Sequence, residues 1–190
     1  MFRRMGLDCD RLQNPGRRLV LGIPEIDLDV VLSKAPDVIT YVEHGVCDMG
    51  IVGKDTILEH GRSFFEVLDL GFGKCRFALA VKEGSDFYDT YNTRRIATKY
   101  PKVAADYFAS LGMDVSIIKI EGSVELAPIL NLADAIVDIV ETGDTLRANG
   151  LVPIETICEI SARLIVNTAA MKLHKKEIFD FIYQCEGALK

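Results

Sequence analysis

The sequence contains no apolar run long enough to cross a membrane. The longest candidate, residues 126–140, is interrupted by Asn131, Asp134 and Asp138, whereas a membrane helix needs about 18 consecutive apolar residues. The start of the chain has two arginines without an apolar segment behind them, so it does not predict a secretory signal. We therefore expect a soluble, cytoplasmic protein with no membrane partner.

Cysteine and histidine are sparse, and neither residue type forms a motif. The chain has five cysteines, an odd number, with no C-x-x-C pair, and its three histidines are equally scattered. This spacing fits neither a disulfide framework nor a zinc site, so we expect buried structural thiols and disfavour cysteine-nucleophile and zinc-hydrolase chemistry. The residues are Cys9, Cys47, Cys75, Cys158, Cys185, His44, His60 and His174.

Positive charge is also in deficit. The 190 residues include 22 lysines and arginines against 28 aspartates and glutamates, which gives a formal net charge of −6. The deficit argues against nucleic-acid binding, which normally uses a basic surface, but not against a small anionic ligand held by backbone amides. Apolar residues make up 49% of the chain, so we expect a folded protein of one large domain or two small lobes.

Strand-like and helix-like segments alternate along the chain. Such alternation predicts an α/β fold with a largely parallel sheet, whose loops collect at the carboxyl ends of the strands. Apolar or alternating runs predict strands at 19–23, 27–32, 47–53, 65–70, 75–81, 96–98, 115–120, 133–140 and 162–167. Capping residues and glycines predict helices at 37–45, 55–61, 101–112, 123–130, 145–150 and 175–185.

The polar segment 82–95 is the natural crossing between two lobes, because it contains glycine, serine, asparagine and several aspartates. We therefore assign 1–86 and 162–190 to lobe I and 87–161 to lobe II. A faint internal repeat supports two similar lobes: DTILEHG at 55–61 and DTLRANG at 144–150 each follow an Ile-Val strand and a glycine. Any short capped helix would give the same pattern, so the repeat alone decides nothing.

The segment 138–146 is the most informative part of the sequence. A buried strand leads into a short loop that opens a helix, and the unpaired amides and dipole at a helix start attract phosphate. Gly143 lets the backbone approach an anion closely, while Thr142 and Thr145 add hydroxyl donors. These residues predict a phosphate site.

The same segment is acidic, which a site for phosphate alone would not favour. Asp138, Glu141 and Asp144 lie beside the loop, and carboxylates accept hydrogen bonds from ribose hydroxyls and help to hold Mg²⁺. Acid and phosphate site together predict a phosphorylated sugar as ligand. A capped helix with solvated acids is the alternative that the loop by itself leaves open.

Ordered motifs give the sequence a recognisable resemblance. The loop ETGDTLRANG at 141–150 resembles the phosphoribosyl-pyrophosphate loop of ATP phosphoribosyltransferases, which catalyse the first step of histidine biosynthesis. The chain is similar to the same family, in order, at YVEHG (41–45) with DMGIVGKD (48–55), DLGFGKCR (69–76), ATKYP (97–101), GSVELAP (122–128) and SARLIVN (161–167).

The resemblance implies a fold and a reaction. The fold is two-lobed and α/β, like a type II periplasmic binding protein, with the active site in the cleft between the lobes. In the reaction, N1 of ATP attacks C1 of the activated ribose, pyrophosphate leaves with the help of Mg²⁺, and phosphoribosyl-ATP forms. An oxocarbenium-like centre of this kind gains from nearby carboxylates.

The resemblance also implies roles for individual residues. Asp138 and Glu141 would lie near the ribose hydroxyls as the catalytic carboxylates. The 5-phosphate would be held by the loop residues Glu141, Thr142, Gly143, Asp144, Thr145 and Leu146, of which Asp144 stands at a position that the family motif leaves variable.

Each residue predicted to contact ATP also has a structural interpretation. Lys54 and Arg76 are candidates for the triphosphate or the pyrophosphate, or are surface cations on loops. Tyr100 is a candidate neighbour of the adenine, or packs before Pro101. Ser123 contacts ATP or caps a helix, and the residues that bind the metal ion stay open.

The ends of the chain differ from part of the family. Family members normally begin with a strand and a Leu-Pro-Lys-Gly-Arg loop, which this sequence does not contain, and Lys34 stands where Arg is common. We therefore expect lobe I to lack a strand, and the chain to be catalytically impaired unless that segment is supplied.

The chain also leaves no room for a C-terminal regulatory domain after the helix that follows Asn167. The resemblance is thus to the short form of the enzyme, whose catalytic dimers form a hetero-oligomer with a regulatory subunit resembling histidyl-tRNA synthetase. Two other readings compete: a non-catalytic two-lobed binding protein for a small molecule, and a phosphoribosyltransferase with a different acceptor base, which the loop alone does not reject but the flanking motifs do.

Overall fold

Two compact units make up the chain. The computed structural model of the protein describes residues 1–61, 63–89 and 92–189. One unit comprises Met1–Phe72 with Ala162–Lys190, and the other comprises Gly73–Ser161. In chain order the elements are α1 (Asp10–Gln13), β1 (Val20–Ile23), β2 (Leu28–Val31), α2 (Ala35–Glu43), β3 (Met49–Gly53), α3 (Lys54–His60), β4 (Phe64–Asp69), β5 (Cys75–Lys82), β6 (Arg94–Thr98), α4 (Pro101–Ser110), β7 (Val115–Lys119), α5 (Leu126–Ile129), β8 (Ala135–Val140), α6 (Asp144–Ala148), β9 (Leu151–Ile160), β10 (Ala162–Asn167), α7 (Ala170–Leu173) and α8 (Lys175–Leu189).

The first unit ends earlier than the sequence predicts. Lobe I was expected to run to residue 86, but the division falls between Phe72 and Gly73. The reason is that β5 pairs along its length with β8 and β9 of the second unit. The polar segment 82–95 therefore belongs to the second unit, and its residues 90 and 91 lie outside the described residues.

In each unit, one strand is inserted between the two strands of a β-α-β crossover. β10 lies between β3 and β4, which α3 connects, and β5 lies between β8 and β9, which α6 connects. The inserted strand is antiparallel to both neighbours in each case. The internal repeat at 55–61 and 144–150 thus marks crossover helices at equivalent places in the two units.

The prediction of a largely parallel sheet is wrong, because the five-stranded sheet is mixed and the pairs in the two smaller sheets are antiparallel. In the sheet β7–β6–β8–β5–β9, β6 is parallel to both of its neighbours, whereas β5 is antiparallel to both of its own. Parallel strands in succession need a crossover connection. β5 and β10 are each the first strand after the chain enters from the other unit. They are therefore not joined to the preceding strand of their own sheet by a crossover, and they can pair in the antiparallel direction.

Helices cover both faces of the sheet β3–β10–β4. Leu164 and Val166 of β10 pack with Ile178 and Ile182 of α8. Ile165 points to the other face, where it packs with residues of α2 and β3, because successive side chains of a strand alternate. Burial on both faces explains why β10 is an almost unbroken apolar run.

The β1–β2 hairpin forms a separate two-stranded sheet beside this layer. Residues 27–33 and 49–51 of β2, β3 and their flanks line a groove of about 730 Å³, and the apolar side chains of Val20, Val31 and Val46 are exposed. Within the described residues, β2 pairs with β1 alone and β3 pairs with β10 alone. The expectation that this unit lacks a strand stays a prediction.

β9, with ten residues, is a strand that the sequence pattern does not reveal. Pro153, Glu155 and Glu159 interrupt its apolar residues. The strand lies at the edge of the sheet, and Pro153, opposite Ala80, adjoins an irregularity in register. Edges and bulges tolerate a residue without an N–H group, so the proline does not exclude the strand.

Two expectations about residue chemistry can be compared directly with the structure. The five cysteines, all within the described residues, form no disulfide; Cys9 and Cys185 are buried and the other three are partly buried. Within the described part of the chain, no helix combines the length and apolar character needed to span a bilayer.

Asn167 connects elements that are distant in the sequence. Its Nδ2 donates to the carbonyl of Val42 near the end of α2 (2.7 Å), and its Oδ1 accepts the N–H groups of Ala169 and Ala170 at the start of α7 (2.8 and 2.9 Å). The side chain is buried, so water cannot replace these bonds.

We expect Asn167→Ala to lower the free energy of unfolding by about 1–3 kcal/mol, because buried backbone groups lose their partners. Urea unfolding of both proteins measures the change. Asn149→Ala is the matched control, since Asn149 is exposed and makes a single hydrogen bond to Thr145 O. Equal stability losses for the two variants would contradict the expectation.

Candidate active site

Three parallel strands of the second unit end at one edge of its sheet. β7, β6 and β8 are neighbours in that order and share one direction, so the residues after Lys119, Thr98 and Val140 meet at this edge. The start of the antiparallel β5 lies there too, because Arg76 pairs with Val140. The edge collects these predicted residues: Arg76, Tyr100, Ser123, Asp138, Glu141, Thr142, Gly143, Asp144 and Thr145.

Gly143 determines the shape of the loop after β8. It is the N-cap of α6 with φ of 81°, a left-handed conformation that favours glycine. A Cβ at this position would lie 3.1 Å from Arg147 Nη1, so the end of the arginine side chain would have to shift slightly to accommodate it. The side chain of Leu146 is buried in the core, which anchors the loop and leaves only the backbone of Leu146 for a ligand.

The polar groups of the loop bond to one another. The Thr142 hydroxyl donates to Asp144 Oδ2 (2.6 Å), and Arg147 Nη2 donates to Asp144 Oδ1 (2.6 Å) and to Thr142 O (3.2 Å). The bond from Thr142, followed by those from Arg147, lowers the pKa of Asp144. Asp144 therefore shapes the loop, and an anion bound there would compete with its carboxylate for the Thr142 hydroxyl.

Asp138 is the partly buried carboxylate of this edge. Burial raises the pKa of Asp138, the Ile139 N–H that donates to its Oδ1 (2.8 Å) lowers the pKa, and the charges of Glu125 and Lys99 raise and lower it, respectively. A carboxylate that burial dominates is short of compensating positive charge. Asp138 would therefore be stabilised by a cationic centre forming beside it.

Tyr100 has a structural neighbour. Its ring meets the ring of Phe77 edge-on, with centroids 4.9 Å apart, and its N–H donates to Thr98 Oγ1 (2.9 Å). Packing before Pro101 is thus part of its role, and contact with an adenine stays a prediction.

Ser123 does not form the expected helix cap. α5 begins at Leu126 with Glu125 at the N-cap position, and no side chain makes a cap hydrogen bond there. Ser123 is exposed, and its carbonyl accepts the Leu126 N–H (3.3 Å). Contact of the hydroxyl with ATP stays a prediction.

Lys54 belongs to the first unit, at the end of β3. Its Nζ lies 2.5 Å from Glu66 Oε2. The expectation of a cation on a plain surface loop is incomplete, because the lysine is held in an ion pair.

Comparison with known proteins identifies the family. A sequence model described as HisG, ATP phosphoribosyltransferase, matches residues 34–187. The chain belongs to the ATP phosphoribosyltransferase family. It is 64% identical over 182 residues to ATP phosphoribosyltransferase of Clostridium kluyveri, covering 96% of this chain and 83% of that protein. It is 59% identical over 187 residues to that of Clostridium acetobutylicum, covering 98% and 87%.

Solved structures agree with the family and the fold. The ATP phosphoribosyl transferase (HisG:HisZ) complex from Thermotoga maritima gives a TM-score of 0.83 at 31% identity, over 99% of this chain and 90% of that chain. The periplasmic aliphatic sulphonate binding protein SsuA from Escherichia coli gives 0.57 at 11% identity, over 84% and 61%. The expected two-lobed α/β fold of the periplasmic-binding-protein type is confirmed. Family membership decides for a glycosyltransferase of histidine biosynthesis over a non-catalytic binding protein.

The family site contains residues that sequence reasoning did not select. Lys99 directly follows β6, and its charge acts on both Asp138 and Glu121. Arg147 is bonded into the loop, as described above. Lys99 lies within the ATKYP motif that carried the resemblance, so its position after a strand was an available signal, whereas the role of Arg147 emerges only from the folded loop.

The family requires a divalent metal ion. The residues present suit a metal ion that is bound mainly by the substrate and by few protein side chains. Within residues 1–61, 63–89 and 92–189 there is no group of three or more His, Cys, Asp or Glu side chains that would hold a metal ion. Mg²⁺ is usually bound by one or two carboxylates together with water and substrate phosphates. Glu141, exposed at this edge, is a carboxylate of this kind.

We expect Asp138→Asn to stabilise the protein and to inactivate it. An acid whose pKa is raised by folding binds its proton more tightly in the native state, so the wild type gains stability as the pH falls through that raised pKa. The variant should therefore melt at a higher temperature than the wild type at pH 7, and the difference should shrink in acid. Its kcat should fall by about 100-fold or more if the carboxylate stabilises the transition state.

Thermal unfolding at pH 7 and at stepwise lower pH measures the first effect, and a steady-state assay measures the second. Asp134→Asn is the control, because its partner Arg95 holds the pKa of Asp134 below the usual range and the same substitution there should destabilise. A melting temperature of Asp138→Asn below that of the wild type at pH 7 would overturn the expectation.

Proposed function

We propose that this chain transfers the phosphoribosyl group of phosphoribosyl pyrophosphate to N1 of ATP in the cytoplasm, releasing pyrophosphate. The observation that carries the proposal is the glycine-threonine loop at 141–146 beside Asp138, in a chain 64% identical to an ATP phosphoribosyltransferase. The loop supplies donors for a phosphate, and the carboxylate supplies the charge that an electron-poor ribose carbon needs.

Asp138 is proposed to act through electrostatics. As the bond from C1 to pyrophosphate lengthens, positive charge develops on the ribose. A carboxylate that is poorly compensated in the ground state gains most from that charge, and a fixed, partly buried group needs no reorganisation at the moment of reaction. Glu141, exposed at the end of the same strand, is proposed to accept hydrogen bonds from the ribose hydroxyls and so to orient the ring.

The loop is proposed to bind the 5-phosphate. Thr142 and Thr145 are exposed donors beside the buried Gly143, and the backbone amides of Asp144, Thr145 and Leu146 begin α6. Arg147 maintains the loop by bonding to Thr142 O and to Asp144. Binding would transfer the Thr142 hydroxyl from the Asp144 carboxylate to a phosphate oxygen.

ATP and the leaving group are proposed to use the remaining predicted residues. Arg76 lies in the sheet between Val140 and Glu159, beside the strand end that leads into the loop, and a guanidinium suits a phosphate. Tyr100 and Ser123 follow neighbouring strands at the same edge, the first offering a ring face for the adenine and the second a hydroxyl. Lys54 is proposed to bind a polyphosphate oxygen.

Mg²⁺ is the metal ion that we propose for this reaction. Glu141 is the side chain that would hold it, together with water and the pyrophosphate oxygens. When bound, it would neutralise charge on the departing pyrophosphate.

The test of the proposed function is a direct assay for phosphoribosyl-ATP. The full chain is mixed with phosphoribosyl pyrophosphate, ATP and Mg²⁺, and the absorbance of the product is followed with and without the regulatory subunit. A binding protein without catalysis would bind phosphoribosyl pyrophosphate in calorimetry and give no product. A different acceptor base would give turnover with that base and none with ATP.

We expect Thr145→Val to raise the KM for phosphoribosyl pyrophosphate about tenfold, since a hydrogen bond to a charged phosphate is lost, and to leave the KM for ATP unchanged. Initial rates with each substrate varied in turn measure both constants. Thr156→Val is the matched control, because Thr156 is an exposed threonine on β9. An unchanged KM for phosphoribosyl pyrophosphate in Thr145→Val would remove this threonine from the phosphate site.

A regulatory partner completes the proposal. The HisG:HisZ complex of Thermotoga maritima, which matches this chain over its length, supports a hetero-oligomer in which catalytic dimers join a histidyl-tRNA-synthetase-like subunit. We expect histidine to inhibit the mixture of chain and subunit, and to leave the chain alone unaffected. Light scattering measures the assembly and the absorbance assay the inhibition; inhibition of the isolated chain by histidine would contradict the division of roles.

A further inference from the structure

Four charged side chains of the first unit form one ion-pair network. Lys54 Nζ lies 2.5 Å from Glu66 Oε2, Arg163 Nη1 lies 3.3 Å from Glu66 Oε1, and Arg163 Nη2 lies 3.0 Å from Asp69 Oδ2. Two cations and two carboxylates make the network neutral. The side chains of Lys54, Glu66 and Arg163 are 26%, 25% and 21% exposed, so the network is largely withdrawn from water while the lysine can still be reached.

A β-bulge in β4 makes this arrangement possible. Glu66 and Asp69 are three residues apart and would face opposite sides of a regular strand. In β4, however, Leu68 is opposite Leu164 and Glu66 is opposite Ile165, so Val67 is an extra residue without a partner. The bulge brings both carboxylates to the face of Arg163.

The two cations have different kinds of attachment. Arg163 lies within the central strand β10 and contacts two carboxylates, so it is fixed by the backbone and by both partners. Lys54 is the first residue of α3. It pairs with one carboxylate oxygen of Glu66, and the other oxygen of Glu66 pairs with Arg163. Lys54 is therefore able to leave without stranding Glu66, since Arg163 remains to compensate the carboxylate.

We propose that Glu66 is a positioning residue: it is the internal counter-anion of Lys54, and a polyphosphate group of the substrate displaces it. Arg163, held by Asp69, stabilises Glu66 after the exchange. This inference rests on the proposed function, in which Lys54 binds a polyphosphate oxygen. It adds that binding breaks the Lys54–Glu66 pair, so the carboxylate lowers the affinity of the site for an anion while it keeps the ammonium group in place.

Displacement of Glu66 by a polyphosphate predicts changes in anion affinity that a purely structural ion pair would not produce. Glu66→Gln removes the competing carboxylate, so inorganic tripolyphosphate should bind about two- to fivefold more tightly, which is the range for losing one partly exposed ion pair. Lys54→Met should bind it at least tenfold more weakly, and Lys54→Arg should retain most of the affinity. Asp106→Asn is the matched control: Asp106 lies 2.5 Å from Lys102 in an ion pair outside the network, so the loss of this carboxylate should leave tripolyphosphate affinity unchanged.

Calorimetric titration of the full chain with inorganic tripolyphosphate, ATP and pyrophosphate measures these affinities, and thermal unfolding checks that each variant is folded. A loss in Lys54→Met confined to tripolyphosphate and ATP assigns the lysine to the triphosphate, and a loss confined to pyrophosphate assigns it to the leaving group. The proposal would be overturned if folded Glu66→Gln bound neither tripolyphosphate nor pyrophosphate more tightly than the wild type, or if Lys54→Met kept full affinity for both.

The transferase assay separates this inference from the proposed function. If the chain makes no phosphoribosyl-ATP but the tripolyphosphate affinities follow the expected order, the function fails and the exchange stands. If the chain is active but Glu66→Gln binds no more tightly than the wild type, the exchange fails and the function stands.

Discussion

The active-site edge of the second unit depends on the hydroxyl of Thr98. This side chain is fully buried at the last residue of β6. Its Oγ1 donates to Val137 O in β8 (2.7 Å) and accepts the Tyr100 N–H (2.9 Å), while its backbone carbonyl accepts the Ile120 N–H after β7 (2.9 Å). One residue thus connects the ends of three parallel strands. The loops proposed to bind ribose, phosphate and adenine follow these strand ends, so buried hydrogen bonds help to determine the distance between them.

The two units treat negative charge in opposite ways. In the second unit Asp138 is partly buried with little compensation, so its ionised form costs stability until a cationic centre develops beside it. In the first unit Glu66 and Asp69 are each matched by Arg163 or Lys54, and the cost is offset within the protein. In the proposed reaction the first arrangement favours catalysis, because an uncompensated carboxylate interacts more strongly with a cationic transition state than with the ground state. Reversible binding of an anion benefits from the second, because a matched network tolerates the departure of one cation.

The sequence was sufficient where local pattern and tertiary structure agree. The strand, glycine loop and helix at 138–146 were predicted because an apolar run, a glycine and a helix-capping residue follow one another directly in the sequence. α2 was located, but Asp37 was expected as its cap, whereas the helix begins at Ala35 after Lys34. Pro36 explains the difference, since proline is favoured in the first turn of a helix.

Other features depend on contacts that no local pattern contains. β9 escaped prediction because Pro153 and its glutamates resemble a loop until the edge of the sheet accommodates them. The Glu66–Arg163 contact depends on a bulge at Val67, which shifts the register by one residue and has no sequence mark of its own. The role of Asp144 likewise depends on Arg147 reaching back across a turn of helix. These are matters of register and side-chain reach, and composition does not report them.

The inserted strand β10 has a consequence for the order in which the protein folds. The second unit is continuous in the chain, so all of its strands are available once residue 161 has been synthesised. The first unit is interrupted, and β3 and β4 have no direct pairing with each other: the strand that joins them is made last. Until β10 emerges from the ribosome, the apolar surfaces of the first unit that contact Leu164, Ile165 and Val166 remain exposed to water. The N-terminal third of the chain therefore cannot complete its sheet until β10 has been synthesised. Because domains generally fold as units during synthesis, the second unit, which contains the loop at 141–146, is completed before the first.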